Sequence, residues 1–170
     1  MVKQISEYTD INALRTLMEN AKCLGRDDIW GQAFRQSCVL QGKNQNDALS
    51  QGFYEMLAAY EGLLSQKNGK NTVATRTRQK LKNKGIVQCL EEWAVSTTPT
   101  QGFDLLIKHG LHELTGEYLV VQYPGRFSEN AVQNAKKRLE RQGIISNLTS
   151  GNLSEKNIKE AKERGGVEGQ

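Results

Sequence analysis

Apolar residues recur at spacings of three and four along most of this chain, the repeat expected of helices that bury one face. Residues 11–24 carry Ile11, Leu14, Leu17, Met18 and Ala21 on that spacing, and Gly25 ends the segment. Asp27 or Asp28 is placed to cap a second helix, with Ile29, Trp30, Ala33, Phe34 and Cys38 on one side. After the polar loop "QGKNQN" the longest pattern runs over about 46–67. There Leu49, Phe53, Leu57, Tyr60 and Leu64 form a stripe, flanked by Met56 and Leu63.

A small signature then recurs: "LKNKGI" at 81–86, "LIKHGL" at 106–111 and "LERQGI" at 139–144. Each has a polar or basic last turn, then glycine, then an aliphatic residue. Glycine enters the left-handed region without penalty, and the next apolar side chain folds back on the turn it follows. Helix ends are therefore expected at Lys84, His109 and Gln142. The β-branched run in "LTGEYLVVQYPGRFS" could be a strand, but a lone strand has no partner, so a short helix from near Thr115 to before Pro124 is expected. Ser128 is a natural cap for a helix over 129–142 that turns Ala131, Val132, Ala135 and Leu139 inward. A marginal helix over 154–164 is one option for the polar stretch that follows, and a mobile tail the favoured one.

Residues 75–94 pose a geometric problem. At about 100° per residue with Arg76 at zero, Leu81 and Ala74 fall near 140° and 160°, roughly. Ile86, Leu90, Trp93 and Ala94 fall at about 260° to 360°. A straight helix could not bury both faces in one core, so the pattern predicts two helices broken at Gly85.

The expected fold is all-α: an irregular array of about seven or eight helices, with a single helical domain over 1–145 and a polar, largely flexible tail over 146–170. Two prolines and 6% aromatic residues point away from a β-sandwich. No apolar run approaches the roughly 20 residues of a membrane span, and the first ten residues lack the apolar stretch of a secretory signal. Cys23, Cys38 and Cys89 are odd in number and far apart. They are expected to be reduced thiols buried as small hydrophobes in a cytoplasmic protein, which makes the sequons at Asn147 and Asn152 chance matches.

Charge changes this picture at one place. Lys67, Lys70, Arg76, Arg78, Lys80, Lys82 and Lys84 lie between Glu61 and Glu91 with no acidic residue among them. The net charge of the whole chain is only +4, so these seven carry all of the positive excess. On the expected helix, Arg76, Lys80 and Lys84 line one flank of a narrow apolar strip, and Arg78 and Lys82 line the other. Cations near a helix C-terminus are favoured by about 0.3–1 kcal/mol each, which suits Lys82 and Lys84. Arg76 and Arg78 stand in the first turn, where the same dipole disfavours them. A phosphate held by the turn's N–H groups, by Thr75 and Thr77 and by the two guanidiniums would remove the conflict, as would carboxylates brought from elsewhere in the fold.

The leading expectation is thus a non-enzymatic nucleic-acid-binding accessory protein, DNA or RNA, contacting phosphates through these seven residues. The alternative is a protein-interaction or dimerisation module whose basic face docks an acidic partner. A helix-turn-helix at "KNKG" fits poorly, because Lys80, Lys84 and Glu91 would occupy positions which that motif buries.

Catalytic signatures are absent from the pattern, and no cofactor or metal is expected. His109 and His112 are the only histidines, separated by a glycine and without paired cysteines. Asp104, Glu113, Glu117 and Lys108 could serve a nuclease of unfamiliar design, but they lack the usual spacing. No phosphate-cradling glycine loop or nucleophile elbow occurs. The phrases "TRTRQKLKNKG", "GFDLLIKHGL", "LTGEYLVVQYP" and "RFSENAVQNAKKRL" resemble, in that order, an uncharacterised family of bacterial proteins. The resemblance spans about 12–141. It implies one bacterial, intracellular helical unit and carries no functional residue with it.

Overall fold

Helix starts in this chain are set by short polar side chains. In the computed structural model, which describes residues 4–43 and 45–144, Asp10, Asp47, Thr100, Thr115 and Ser128 each accept a first-turn N–H. They open α1 (Ile11–Cys23), α3 (Ala48–Asn68), α5 (Gln101–Lys108), α6 (Gly116–Gln122) and α7 (Glu129–Arg141). The other two helices, α2 (Asp27–Gly42) and α4 (Thr75–Val95), begin without a side-chain cap of their own. In α2 the residue before the helix is Arg26, so Asp27 and Asp28 are first-turn acids rather than caps. There they complement the positive end of the helix dipole, and Asp28 also pairs with Arg26 at 2.7 Å. Short 3₁₀ turns at Ile5–Glu7, His112–Leu114 and Pro124–Arg126 complete an all-helical fold with no strand among the described residues. The expected tail and its marginal helix lie outside the described residues.

Two groups of helices share one core. The first three pack in order, α1 on α2 and α2 on α3, while α4, α6 and α7 pack on one another, and α3 bridges the groups through α5 and α6. Glycines on α3 let its neighbours come close. A Cβ at Gly62 would stand 2.7 Å from the Phe34 ring of α2, and one at Gly52 would stand 2.5 Å from Leu119 of α6. The core holds Phe53, Leu57 and Leu63 of α3, Cys89 and Leu90 of α4, Leu106 of α5, Val120 of α6 and Leu139 of α7, all 2% exposed or less. Each large side chain so buried contributes about 1.5–3 kcal/mol of transfer free energy. The inward residues expected of α7 are all buried. Cys38 and Cys89 are buried thiols as expected, and burial pushes Cys38 up to about 12. Cys23 is exposed, against expectation, because it lies off the face that Leu14 and Ala21 turn inward. No helix among the described residues is long and apolar enough to cross a membrane.

The glycine signature marks three left-handed residues: Gly85 at φ 80°, Gly110 at φ 68° and Gly143 at φ 71°. At the last two the helix stops, and the N–H groups of Leu111 and Ile144 return to the carbonyls of Leu106 and Leu139 at 2.9 and 3.1 Å. At Gly85 the chain leaves helical geometry (ψ 171°) and resumes it at once, so α4 is two helical arms meeting at a kink. The second arm also positions α7. Glu91 accepts the Ser128 N–H at 3.1 Å and the Ser128 hydroxyl, while that hydroxyl accepts the Ala131 N–H at 3.2 Å. Ser128→Ala removes the cap and the hydroxyl's bond to Glu91, and keeps the backbone N–H bond to that carboxylate. It should lower stability by about 1–2 kcal/mol in chemical denaturation, the upper part of the range for a lost cap.

Candidate functional site

The seven cations do not form one face. Lys67 lies in the last turn of α3, Lys70 follows the helix, and both are exposed. Lys70 borders a groove of about 710 Å³ between α1, α2 and α3, together with Arg15 and Lys22 but also with Glu19 and Glu61. The remaining five occupy the first arm of α4, and their two flanks meet different surroundings.

On one flank stand Arg76, Lys80 and Lys84. Lys80 and Lys84 donate to opposite oxygens of Glu92 at 2.7 and 2.6 Å. In a straight helix residues twelve apart are separated by about 18 Å along the axis. The kink at Gly85 folds the two arms toward each other and closes that distance. Hydrogen bonds from Lys80, Lys84 and Gln88 hold the Glu92 carboxyl down at about 2. The Lys80 ammonium also stands 5.6 Å from the centre of the Trp93 ring. Arg76, by contrast, has no ion pair or hydrogen bond among the described residues and lies at the edge of a cavity beneath the arm.

On the other flank, Arg78 is engaged. Its Nε and one terminal nitrogen donate to both oxygens of Glu61 on α3, at 2.6 and 2.7 Å. Glu61 also accepts the N–H of Ala74 at 2.9 Å, doing for α4 what a cap side chain does elsewhere. Burial raises the Glu61 carboxyl, but the bonds from Arg78 and Ala74 outweigh it, and its titration falls below the ordinary value. Half of the electrostatic conflict read from the sequence is therefore resolved within the fold: a carboxylate seventeen residues upstream neutralises Arg78. Glu61, at the start of the acid-free run, and Glu92, just past its end, take three of its seven cations.

Lys82 and Arg78 look into a second groove, of about 580 Å³, between α3, the kink and the turn at Pro124–Arg126. Tyr54 and Arg126 share its lining with Leu81, Gly85, Ile86 and Val87, and no carboxylate among the described residues lines it. Neither Lys82 nor Arg126 has an ion pair among the described residues, although the charge of Arg126 reaches Asp47 and helps lower its titration. Sequence reasoning missed Tyr54 and Arg126. Their distance from the run left no signal except a lone arginine in a Pro-Gly turn.

The acids considered for a nuclease are divided. Glu113 accepts Arg35 at 2.6 Å with His112 beside it at 3.7 Å. Glu117, 3% exposed, pairs with Arg138 at 3.0 Å, and Asp104 stays exposed on α5. Among the described residues no three of His, Cys, Asp and Glu gather as a metal site would require. His109 ends α5.

No family model matches the chain, and neither does any curated protein or solved structure.

Proposed function

We propose that this protein is a non-enzymatic accessory that contacts nucleic acid by its phosphates, along the groove between α3, the kink of α4 and the Pro124–Arg126 turn. One observation carries the reading: three cations, Arg78 (paired with Glu61), Lys82 and Arg126, border an open groove that no carboxylate among the described residues lines. Phosphates supply the matching charge at close spacing, and their contact releases counterions. The Glu61 carboxylate holds Arg78 in place while leaving its other terminal nitrogen uncommitted. Tyr54 and the aliphatic residues beside it give exposed bases an apolar surface. Of the seven cations of the run, Lys67, Lys70, Arg76, Lys80 and Lys84 then stand outside this groove, the last two tied to Glu92, and add long-range attraction rather than direct contact.

A salt series tests this. Three phosphate contacts predict a slope of log affinity on log salt of about −3 on duplex DNA and about −2 on single strands. Replacing Lys82 and Arg126 together by glutamine should remove about 2 from the duplex slope. No binding to duplex DNA, single-stranded DNA or RNA at low salt, or an unchanged slope in the double variant, would overturn the assignment. Binding to poly-glutamate with equal affinity and the same salt slope would favour the alternative, an acidic protein partner docked on the same cations.

A further inference from the structure

Beneath the first turn of α4 lies a separate cavity of about 220 Å³, enclosed by α3, α4, α5 and the start of α6. We propose that it binds a small organic acid, one ring or a short chain in size, whose far end carries an O–H or N–H donor. The size follows from the volume, which is below the roughly 300–1,000 Å³ of sites for larger organic ligands. The character of the ligand follows from how the walls are arranged. Met56, Leu57, Phe103 and Leu106 make the sides apolar.

At the exposed rim stands Arg76, the one arginine of the run that no described carboxylate engages, with Thr77 next to it. With no other unpaired charge in the lining among the described residues, that guanidinium selects an anion and can hold a carboxylate through two parallel hydrogen bonds. The buried charged residue of the lining is Glu117, whose carboxylate already accepts Arg138 at 3.0 Å. That pairing cancels its charge toward an incoming acid. A carboxylate has about four acceptor positions, so capacity remains for a donor on the ligand. A neutral apolar molecule would leave Arg76 unused, and an acid with no donor would bury its far end against an acceptor.

This inference is independent of the nucleic-acid reading, since Arg76 does not line the basic groove. It also places the first of the two sequence-flagged arginines at a different anion from the one expected.

The two tryptophans allow a direct test, because Trp93 borders the cavity and Trp30 borders the groove between α1, α2 and α3. In ¹⁵N–¹H spectra of the full chain, titration with 4-hydroxyphenylacetate should move the Trp93 indole signal and leave that of Trp30 in place. Phenylacetate, which lacks the donor, and the corresponding neutral alcohol, tyrosol, should each bind about tenfold more weakly. Arg76→Gln, at an exposed position, should weaken the acid about tenfold and leave tyrosol unchanged. The proposal is overturned if the Trp93 signal does not move, if acid and alcohol bind equally, or if Arg76→Gln binds the acid as the parent does.

Discussion

Arg138→Met should cost about 3–5 kcal/mol of stability at neutral pH, the penalty for removing one partner of a buried ion pair. With total stabilities of about 5–15 kcal/mol for domains of ordinary size, that is a large fraction of the whole. Arg138 is 7% exposed and Glu117 is 3% exposed, so water replaces neither partner. The guanidinium does more than neutralise a carboxylate. It donates to the carbonyl of Trp93 at 2.7 Å and to that of Ser96, closing the C-terminal end of α4, and so joins α4, α6 and α7. Methionine fills the space but leaves those acceptors and the carboxylate without their donor. The double variant Glu117→Leu, Arg138→Met should recover much of the loss, because two apolar groups leave no buried charge. A denaturation midpoint showing less than about 1 kcal/mol for the single variant would contradict this account.

The same pair sets a pH signature. Burial pushes the Glu117 carboxyl above its ordinary value, against the opposing pull of its own N–H and of Arg138. Without Arg138 the shift must grow. A carboxyl whose folded titration lies above its unfolded one binds its proton first in the folded state. The stability it contributes is then present below the unfolded value of about 4.3 and lost as pH rises through the folded one. The deficit of Arg138→Met should accordingly shrink between neutral pH and about pH 4. A deficit independent of pH would show that the carboxyl is not the group left exposed to the loss.

Gly85→Ala should cost about 1–3 kcal/mol for a reason of another kind. At φ 80° and ψ 171° the residue occupies a region essentially restricted to glycine. A Cβ there would meet nothing within 4 Å, so the whole cost is conformational. Gly125→Ala is the control, since its added Cβ also meets nothing and its φ is ordinary. It should stay within about 0.5 kcal/mol. If the kink were incidental, the two substitutions would behave alike. If it sets the spacing of the arms, Gly85→Ala should also loosen Lys80 and Lys84 from Glu92. Its basic groove, which Gly85 lines beside Lys82, should then bind phosphates differently from the parent.

Much of the helical layout was legible because it rests on local rules. The caps at Thr115 and Ser128, the glycine stops at Gly110 and Gly143, and the inward faces of α3 and α7 each follow from residues within one or two turns. The break at Gly85 was legible from two apolar faces that could not serve one core. Arg138 and Glu117 left a subtler signal. Arg138 continues the spacing of Ala131 and Ala135, and Glu117 that of Val120 and Val121, so each falls on a buried face where a charge demands a partner. What neither position revealed was the identity of that partner.

The sequence by itself determined where helices begin, end and bend, because capping, propensity and periodicity act over a few residues. It also determined that seven cations would crowd one segment. Only the tertiary structure decided what each of those cations faces, because Glu61, Glu92 and Arg126 reach them from outside the run through packing and the kink. Charge is a property of composition, whereas the field at a site is a sum over groups whose distances are fixed only once the chain has folded.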